Sequence, residues 1–183
     1  MDTYEGKPLG RLSDIIADQK GGVYFTEGRN SSVYYLNAAG GLKRVADDID
    51  GANGITLSPD ESTLYVTNRE AGILAYDVAL DGAIGNRRPF VKPEGGQDGM
   101  TVDGVGRLYV AGQTGIQVFS PQGQFLEIIP IPRPTTTLAF AGPNKKTLYV
   151  IGRGNDLPGG DSGDARSMCR ISMLAEGFKG RAK

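Results

Sequence analysis

Asn53-Gly54-Ile55-Thr56-Leu57-Ser58-Pro59-Asp60-Glu61-Ser62-Thr63-Leu64-Tyr65-Val66-Thr67-Asn68 is the stretch on which the fold turns. A polar residue opens a short apolar run, a Ser-Pro-Asp cluster stops it, and an apolar-Tyr pair opens a second run about eleven residues after the first opening. The same frame recurs as Ser13-Asp14-Ile15 answered by Val23-Tyr24, Asp98-Gly99-Met100 answered by Leu108-Tyr109, and Thr137-Leu138-Ala139 answered by Leu148-Tyr149. The copies follow one another at about forty residues, the spacing of a repeated supersecondary unit.

Within each copy the runs are short and bounded by turn residues, as strands are. The first strands are predicted at Ile15-Ile16-Ala17, Ile55-Thr56-Leu57, Met100-Thr101-Val102 and Leu138-Ala139-Phe140. Asp18 to Gly22, Ser58 to Ser62, Asp103 to Gly106 and Gly142 to Lys146 supply the residues that tight turns require. Second strands rich in β-branched and aromatic residues follow at Val23 to Thr26, Leu64 to Thr67, Leu108 to Ala111 and Leu148 to Ile151. Third strands are read at Val33 to Leu36, Ile73 to Val78, Ile116 to Phe119 and Cys169 to Met173, and partial fourth strands at Leu42 to Val45, Pro89 to Val91 and Phe125 to Ile129. No segment keeps a helical period. Four antiparallel strands per unit, repeated in frame, predict an all-β protein with about four propeller blades in a single, partial β-propeller domain over residues 1–183. A sandwich explains short strands but not the repeat.

Composition excludes several function classes. With 39% apolar and 22% charged residues the chain is of soluble globular type, and a formal net charge of −1 provides no field to gather nucleic acid or an anionic membrane. There is no histidine, so Ser-His-Asp and Cys-His nucleophiles and His-ligated zinc are ruled out within the chain. The lone Cys169 permits no internal disulfide and is expected to be a small buried apolar residue. Met1 is followed by polar residues to Lys7, so the chain as given carries no recognisable export signal and leaves the compartment undefined. The Gly-rich acidic insert Arg153 to Asp164 lacks the ligand spacing of an EF-hand and is expected to be a mobile surface loop, and the basic Lys179 to Lys183 a solvated tail.

In a propeller the innermost strand of each blade lines the channel, so the residues that open those strands converge at one mouth. Here they are Ser13, Asn53, Asp98 and Thr137, an all-oxygen set suited to calcium, magnesium or manganese and also able to hold zinc. Taken singly, Asn53-Gly54 and Asp98-Gly99 are also ordinary turn dipeptides. Glu27 closes the second strand of its blade and is a candidate to border a substrate pocket, with a plain surface carboxylate as the alternative. Tyr24, Tyr65, Tyr109 and Tyr149 recur in frame and are expected to pack between blades.

At these residues the chain resembles the senescence marker protein and gluconolactonase family, which includes regucalcin. The likeness is carried by Asn53 to Asp60 with Leu64 to Asn68, by Asp98 to Asp103 with Gly106 to Val110, and by Gly21 to Glu27 and Thr147 to Val150. It implies a six-bladed propeller with one divalent cation, calcium first and zinc, manganese or magnesium as alternatives, that hydrolyses small sugar-type lactones. It further implies Asn53 and Asp98 as metal ligands, Asp98 as the group that accepts the proton of the attacking water, and Arg11 as a substrate contact. Ser13 and Thr137 stand where the family often has Asn, and are expected to contact substrate with less reach. The first two blades of the family, with a Glu ligand, have no counterpart in the sequence as given, so the chain is expected to be a fragment of a longer protein, to pair with another chain or to close tighter as four blades, and for the isolated chain a homo-oligomer that covers the open blade faces is expected. A non-catalytic, truncated propeller that serves as a ligand- or protein-binding scaffold is the alternative function.

Overall fold

Alternating apolar runs broken by turn residues fold into antiparallel sheets whose strands lie in chain order. The computed structural model describes residues 3–154 and 166–178, and the insert from residue 155 to 164 and the tail from 179 to 183 lie outside them. The chain divides into two compact units, Met1–Val91 and Lys92–Lys179. In the first unit one sheet holds β3 (Leu12–Ala17), β4 (Val23–Glu27), β5 (Ser32–Leu36) and β6 (Leu42–Ala46). The next holds β7 (Ile55–Leu57), β8 (Thr63–Asn68), β9 (Gly72–Val78) and β10 (Ile84–Val91). In the second unit β11 (Met100–Val102), β12 (Leu108–Gly112), β13 (Gly115–Phe119) and β14 (Phe125–Ile129) form a third sheet, and β15 (Thr135–Ala141), β16 (Thr147–Arg153) and β17 (Arg166–Ser172) a fourth. Each is a β-propeller blade, and the described residues contain no helix. None is therefore long and apolar enough to cross a membrane.

A short hairpin, β1 (Thr3–Tyr4) and β2 (Lys7–Pro8), precedes the first blade and was not predicted. Its turn is Glu5-Gly6, with φ of 49° and 75°, the two left-handed residues that a two-residue hairpin turn demands. Within the blades the turn chemistry repeats. Asp18 Oδ1 accepts the amides of Lys20 at 2.9 Å and Gly22 at 2.6 Å. Asp103 Oδ1, at the matching position of the third blade, accepts those of Val105 at 3.0 Å and Arg107 at 2.9 Å.

Blade stacking builds the core within each unit. Ile16, Tyr24, Val33 and Tyr35 of the first blade pack with Ile55, Leu57, Leu64, Val66, Leu74 and Tyr76 of the second. Each fully buried aliphatic side chain contributes about 1.5–3 kcal/mol relative to exposure. In the second unit Tyr109, Ala111, Ile116 and Val118 meet Leu138, Phe140, Leu148 and Val150, with the Tyr109 and Phe140 rings edge to face at 5.2 Å. The recurrent tyrosines Tyr24, Tyr65 and Tyr109 are buried as expected, while Tyr149 is half-buried.

Two surfaces depart from that pattern. Cys169 is exposed, not buried, because β17 is paired on one side only among the described residues and its side chains stand at the sheet's periphery. The face of the first blade turned away from the second is also apolar and only partly covered, Tyr4 of the β1–β2 hairpin packing edge to face on its Tyr34 at 5.2 Å. Leu12 is 51% and Ile15 53% exposed there, beside a cavity of about 410 Å³ lined by Leu9, Val23, Phe25 and Leu36.

Gly82 has φ of +85°, and a Cβ added there would fall inside the ring of Tyr35. Gly6, with φ of +75°, has open space around it. Gly82→Ala is therefore expected to destabilise by about 3 kcal/mol or more and Gly6→Ala by about 1 kcal/mol, measured by urea denaturation. Similar losses at the two positions would contradict the packing described.

Burial, the hydrogen bond to Asp18 and the charge of Asp18 push Tyr35 up to about 12 from its ordinary value of 10.0. Burial pushes Tyr76 up to about 12 as well. Burial, then the neighbouring Tyr35 and Asp18, raise Tyr24, and burial with Asp103 raises Tyr109. The fold holds the neutral phenol, so this stability is complete below the unfolded value and is lost as pH rises from about 10 through the folded values. Ultraviolet titration should show these phenols ionising together with unfolding, and reversible ionisation near 10 in a folded chain would overturn the assignment.

Candidate functional site

Asn53 and Asp98 occupy the same place in their blades, immediately before the first strand, and both are half-buried. Around Asn53 the main chain is held at four points. Its N–H donates to Thr67 Oγ1 at 3.2 Å, its carbonyl accepts the Thr26 hydroxyl at 2.5 Å, the Gly54 carbonyl accepts Thr67 N–H at 3.0 Å, and Ile55 N–H donates to Asp14 Oδ2 at 3.2 Å. Thr26 and Thr67 are buried, at 0% and 2% exposure.

The first blade reaches this loop through a β-bulge. The register runs Leu12 opposite Glu27 and then Ile15 opposite Phe25, so β3 carries one extra residue across Ser13-Asp14. The bulge turns Asp14 toward the second blade while Ser13 stays exposed. Gly28 lies between the two blades, where a Cβ would come within 3.0 Å of the Ala52 carbonyl and 3.4 Å of Ser13 Oγ. Ser13, Gly28 and the residue before Asn53 thus share one corner.

Arg11 is exposed, and its carbonyl accepts the Gly28 N–H at 3.1 Å. The amide of Gly10 donates to Glu27 Oε1 at 2.5 Å, so the chain on both sides of Arg11 is tied to the end of β4. Glu27 is 0% exposed and also accepts Asn30 Nδ2 at 2.5 Å and the Tyr34 hydroxyl at 3.1 Å. It is therefore not a surface carboxylate but a buried acceptor that organises the loop around Arg11. Burial, followed by the Glu27 charge, raises the Tyr34 phenol and keeps it a donor.

In the second unit Asp98 N–H donates to the Ala111 carbonyl at 2.9 Å, and Gly99 is held on both sides. Its N–H donates to the Thr136 carbonyl at 2.8 Å and its carbonyl accepts Ala111 N–H at 2.9 Å. A Cβ on Gly99 would stand 2.7 Å from Thr137 Oγ1 and 2.9 Å from the Thr136 carbonyl, so only glycine lets this loop lie against β15. A second bulge, at Thr136, sets that approach, and Thr137 is half-buried beside it.

The structure thus groups Arg11, Ser13, Glu27 and Asn53 in the first unit and Asp98 and Thr137 in the second. Asp14, Thr26 and Thr67 were not anticipated. The repeated Tyr24-Phe25-Thr26 and Tyr65-Val66-Thr67 carried a signal for the two threonines, whereas the bulge that aims Asp14 has none in the sequence. In donor type, a carboxamide and a carboxylate on braced main chain fit a hard cation. Each by itself supplies only part of a shell, and the described residues contain no cluster of three or more acidic, His or Cys side chains.

Comparison with known proteins gives this arrangement a family. The profile of the SMP-30/Gluconolactonase/LRE-like region matches residues 1–152. A gluconolactonase of Zymomonas mobilis is 29% identical over 179 residues, spanning 82% of this chain and 50% of the relative. A pentonolactonase of Haloferax volcanii is 32% identical over 187 residues, spanning 91% of this chain and 64% of the relative. The chain therefore spans half to two-thirds of the length of these relatives. The solved structure of a gluconolactonase from Xanthomonas campestris matches with a TM-score of 0.76 at 34% identity, covering 83% of this chain and 57% of that one. Regucalcin of Agrobacterium tumefaciens, a calcium-binding protein, shares the fold, with a TM-score of 0.74 at 22% identity over 93% of this chain and 63% of that one. With its blades in frame and most of its length matched, the chain belongs to the SMP-30/gluconolactonase/LRE-like family.

Proposed function

We propose that this chain forms part of a lactonase that hydrolyses sugar-type lactones with the help of a divalent cation. The observation that carries the reading is the equivalent position of Asn53 and Asp98, each half-buried at the head of its own blade's first strand and each with its main chain braced by hydrogen bonds. The similarity to a gluconolactonase and a pentonolactonase supports a lactone of sugar type.

In this reading Asn53 Oδ1 and the Asp98 carboxylate hold the cation, calcium first, with zinc, manganese and magnesium as alternatives, and the other donors come from outside this pair. When bound, a divalent cation supplies Lewis acidity toward the lactone carbonyl and lowers the pKa of water. Asp98 accepts the proton of the water that adds to the carbonyl carbon. The ring C–O bond then breaks, the ring oxygen takes up a proton, and an open-chain hydroxy acid leaves. Arg11 presents an exposed guanidinium to the sugar oxygens, and Ser13 and Thr137 present hydroxyls. Glu27 acts behind them by holding the chain at Gly10-Arg11. No step requires imidazole, in keeping with a chain that has no histidine.

The test is acid release from aldonolactones by the purified chain, with calcium, manganese or zinc added in turn. Asp98→Asn is expected to lower kcat about a hundredfold or more while the melting transition is kept. Turnover no faster than spontaneous hydrolysis with every cation, or an unimpaired Asp98→Asn variant, would reject the proposal.

A further inference from the structure

The loop that carries Asn53 is held by the neighbouring blade through side chains. Thr26 Oγ1 stands 2.5 Å from the Asn53 carbonyl and 3.4 Å from that of Asp14, so its single proton goes to Asn53. The same oxygen accepts Asp14 N–H at 3.0 Å, and the Asp14 carboxylate accepts Ile55 N–H at 3.2 Å. The result is a closed circuit that passes from Asp14 to Thr26 to Asn53, along the chain to Ile55, and back to Asp14. Thr67 on β8 completes the hold by accepting the Asn53 N–H at 3.2 Å.

We infer that Thr26 and Asp14 are positioning residues that set cation affinity by fixing the main chain from the Asn53 carbonyl to Ile55, while Thr67 holds the peptide before it. Neither is assigned to the cation itself. The inference rests on the reading of Asn53 as a ligand and adds the groups that orient it. With the peptide on each side of Asn53 immobilised, its carboxamide leaves the backbone in one direction and loses little freedom on binding. Without the Thr26 hydroxyl, the part-buried Asn53 carbonyl and Asp14 amide lose this shared partner together, and the loop is held less firmly. Substitution of groups that orient a ligand typically weakens metal affinity by about 10–100-fold.

Thr26→Val keeps the shape and β-branching of the residue and removes the hydroxyl, while Thr26→Ser keeps the hydroxyl. Calorimetric titration with calcium or manganese alone should show affinity about tenfold weaker in Thr26→Val and largely restored in Thr26→Ser. In an Asn53→Ala background Thr26→Val should cause no further loss, which a general destabilisation would not reproduce. Amide hydrogen exchange at Asn53 and Ile55 should accelerate in Thr26→Val, and at Ile55 in Asp14→Asn, while the rest of β7 and β8 stays protected. Wild-type affinity in Thr26→Val, or equal affinities for the Val and Ser variants, would overturn the inference. If the unaltered chain takes up neither cation, the ligand reading of Asn53 fails, and exchange at these amides then decides the brace alone: unchanged rates reject it.

Discussion

Everything in this structure depends on blades being apolar on both faces. In the first sheet Ile16, Tyr24 and Tyr35 face one way and Ile15, Phe25 and Leu36 the other. A sheet of four short strands cannot bury two such faces by itself, so a neighbour has to lie against it. Once Ile55, Leu57 and Leu64 of the second blade cover the inner face, the head of β7 is carried to the end of β4, where Thr26 meets Asn53. The corner that holds Asn53 is a consequence of hydrophobic stacking, with hydrogen bonds trimming the final fit.

Close approach of blades then restricts what can stand at their heads. Gly28 faces the Ala52 carbonyl and Gly99 faces Thr136 and Thr137 at separations that leave no room for a larger residue without a shift. Loops this close bury main-chain groups, and each needs a partner because an unpaired buried amide costs about 1–3 kcal/mol. Threonine serves well here, since a short hydroxyl both donates and accepts while the methyl group packs. That explains why the residues bracing Asn53 are Thr26 and Thr67 and why both are buried.

The frame of the fold was legible because strand alternation and turn chemistry are local. β7 and β11 lie where their three-residue runs predict them, and the clusters at Asp18, Ser58, Asp103 and Gly142 are hairpin turns. Family membership was readable from the same segments, and the profile match follows from it. What stayed hidden depends on where strands meet. The bulges at Ser13-Asp14 and Thr136 arise from cross-strand register, which no single strand encodes. The burial of Glu27, which overturns the surface-carboxylate alternative, was hidden because its donors, Gly10, Asn30 and Tyr34, come from three separate segments. Cys169 was expected in a core because small thiols usually are buried, but β17 has no outer neighbour among the described residues.

The two candidate ligands are braced by different means, and the difference has consequences for variation. Gly99, beside Asp98, is bound to Ala111 and Thr136 entirely through main-chain groups, so substitution of side chains in β12 leaves those bonds in place. The loop at Asn53 relies on the hydroxyls of Thr26 and Thr67 and on the Asp14 carboxylate, any of which a single codon change can remove. At the head of β11 the hydrogen bonds of Gly99 are therefore insensitive to side-chain substitution. The main chain at Asn53 is instead held from the neighbouring blade, so a change in packing between the first two blades reaches Asn53 without altering any residue of its own loop.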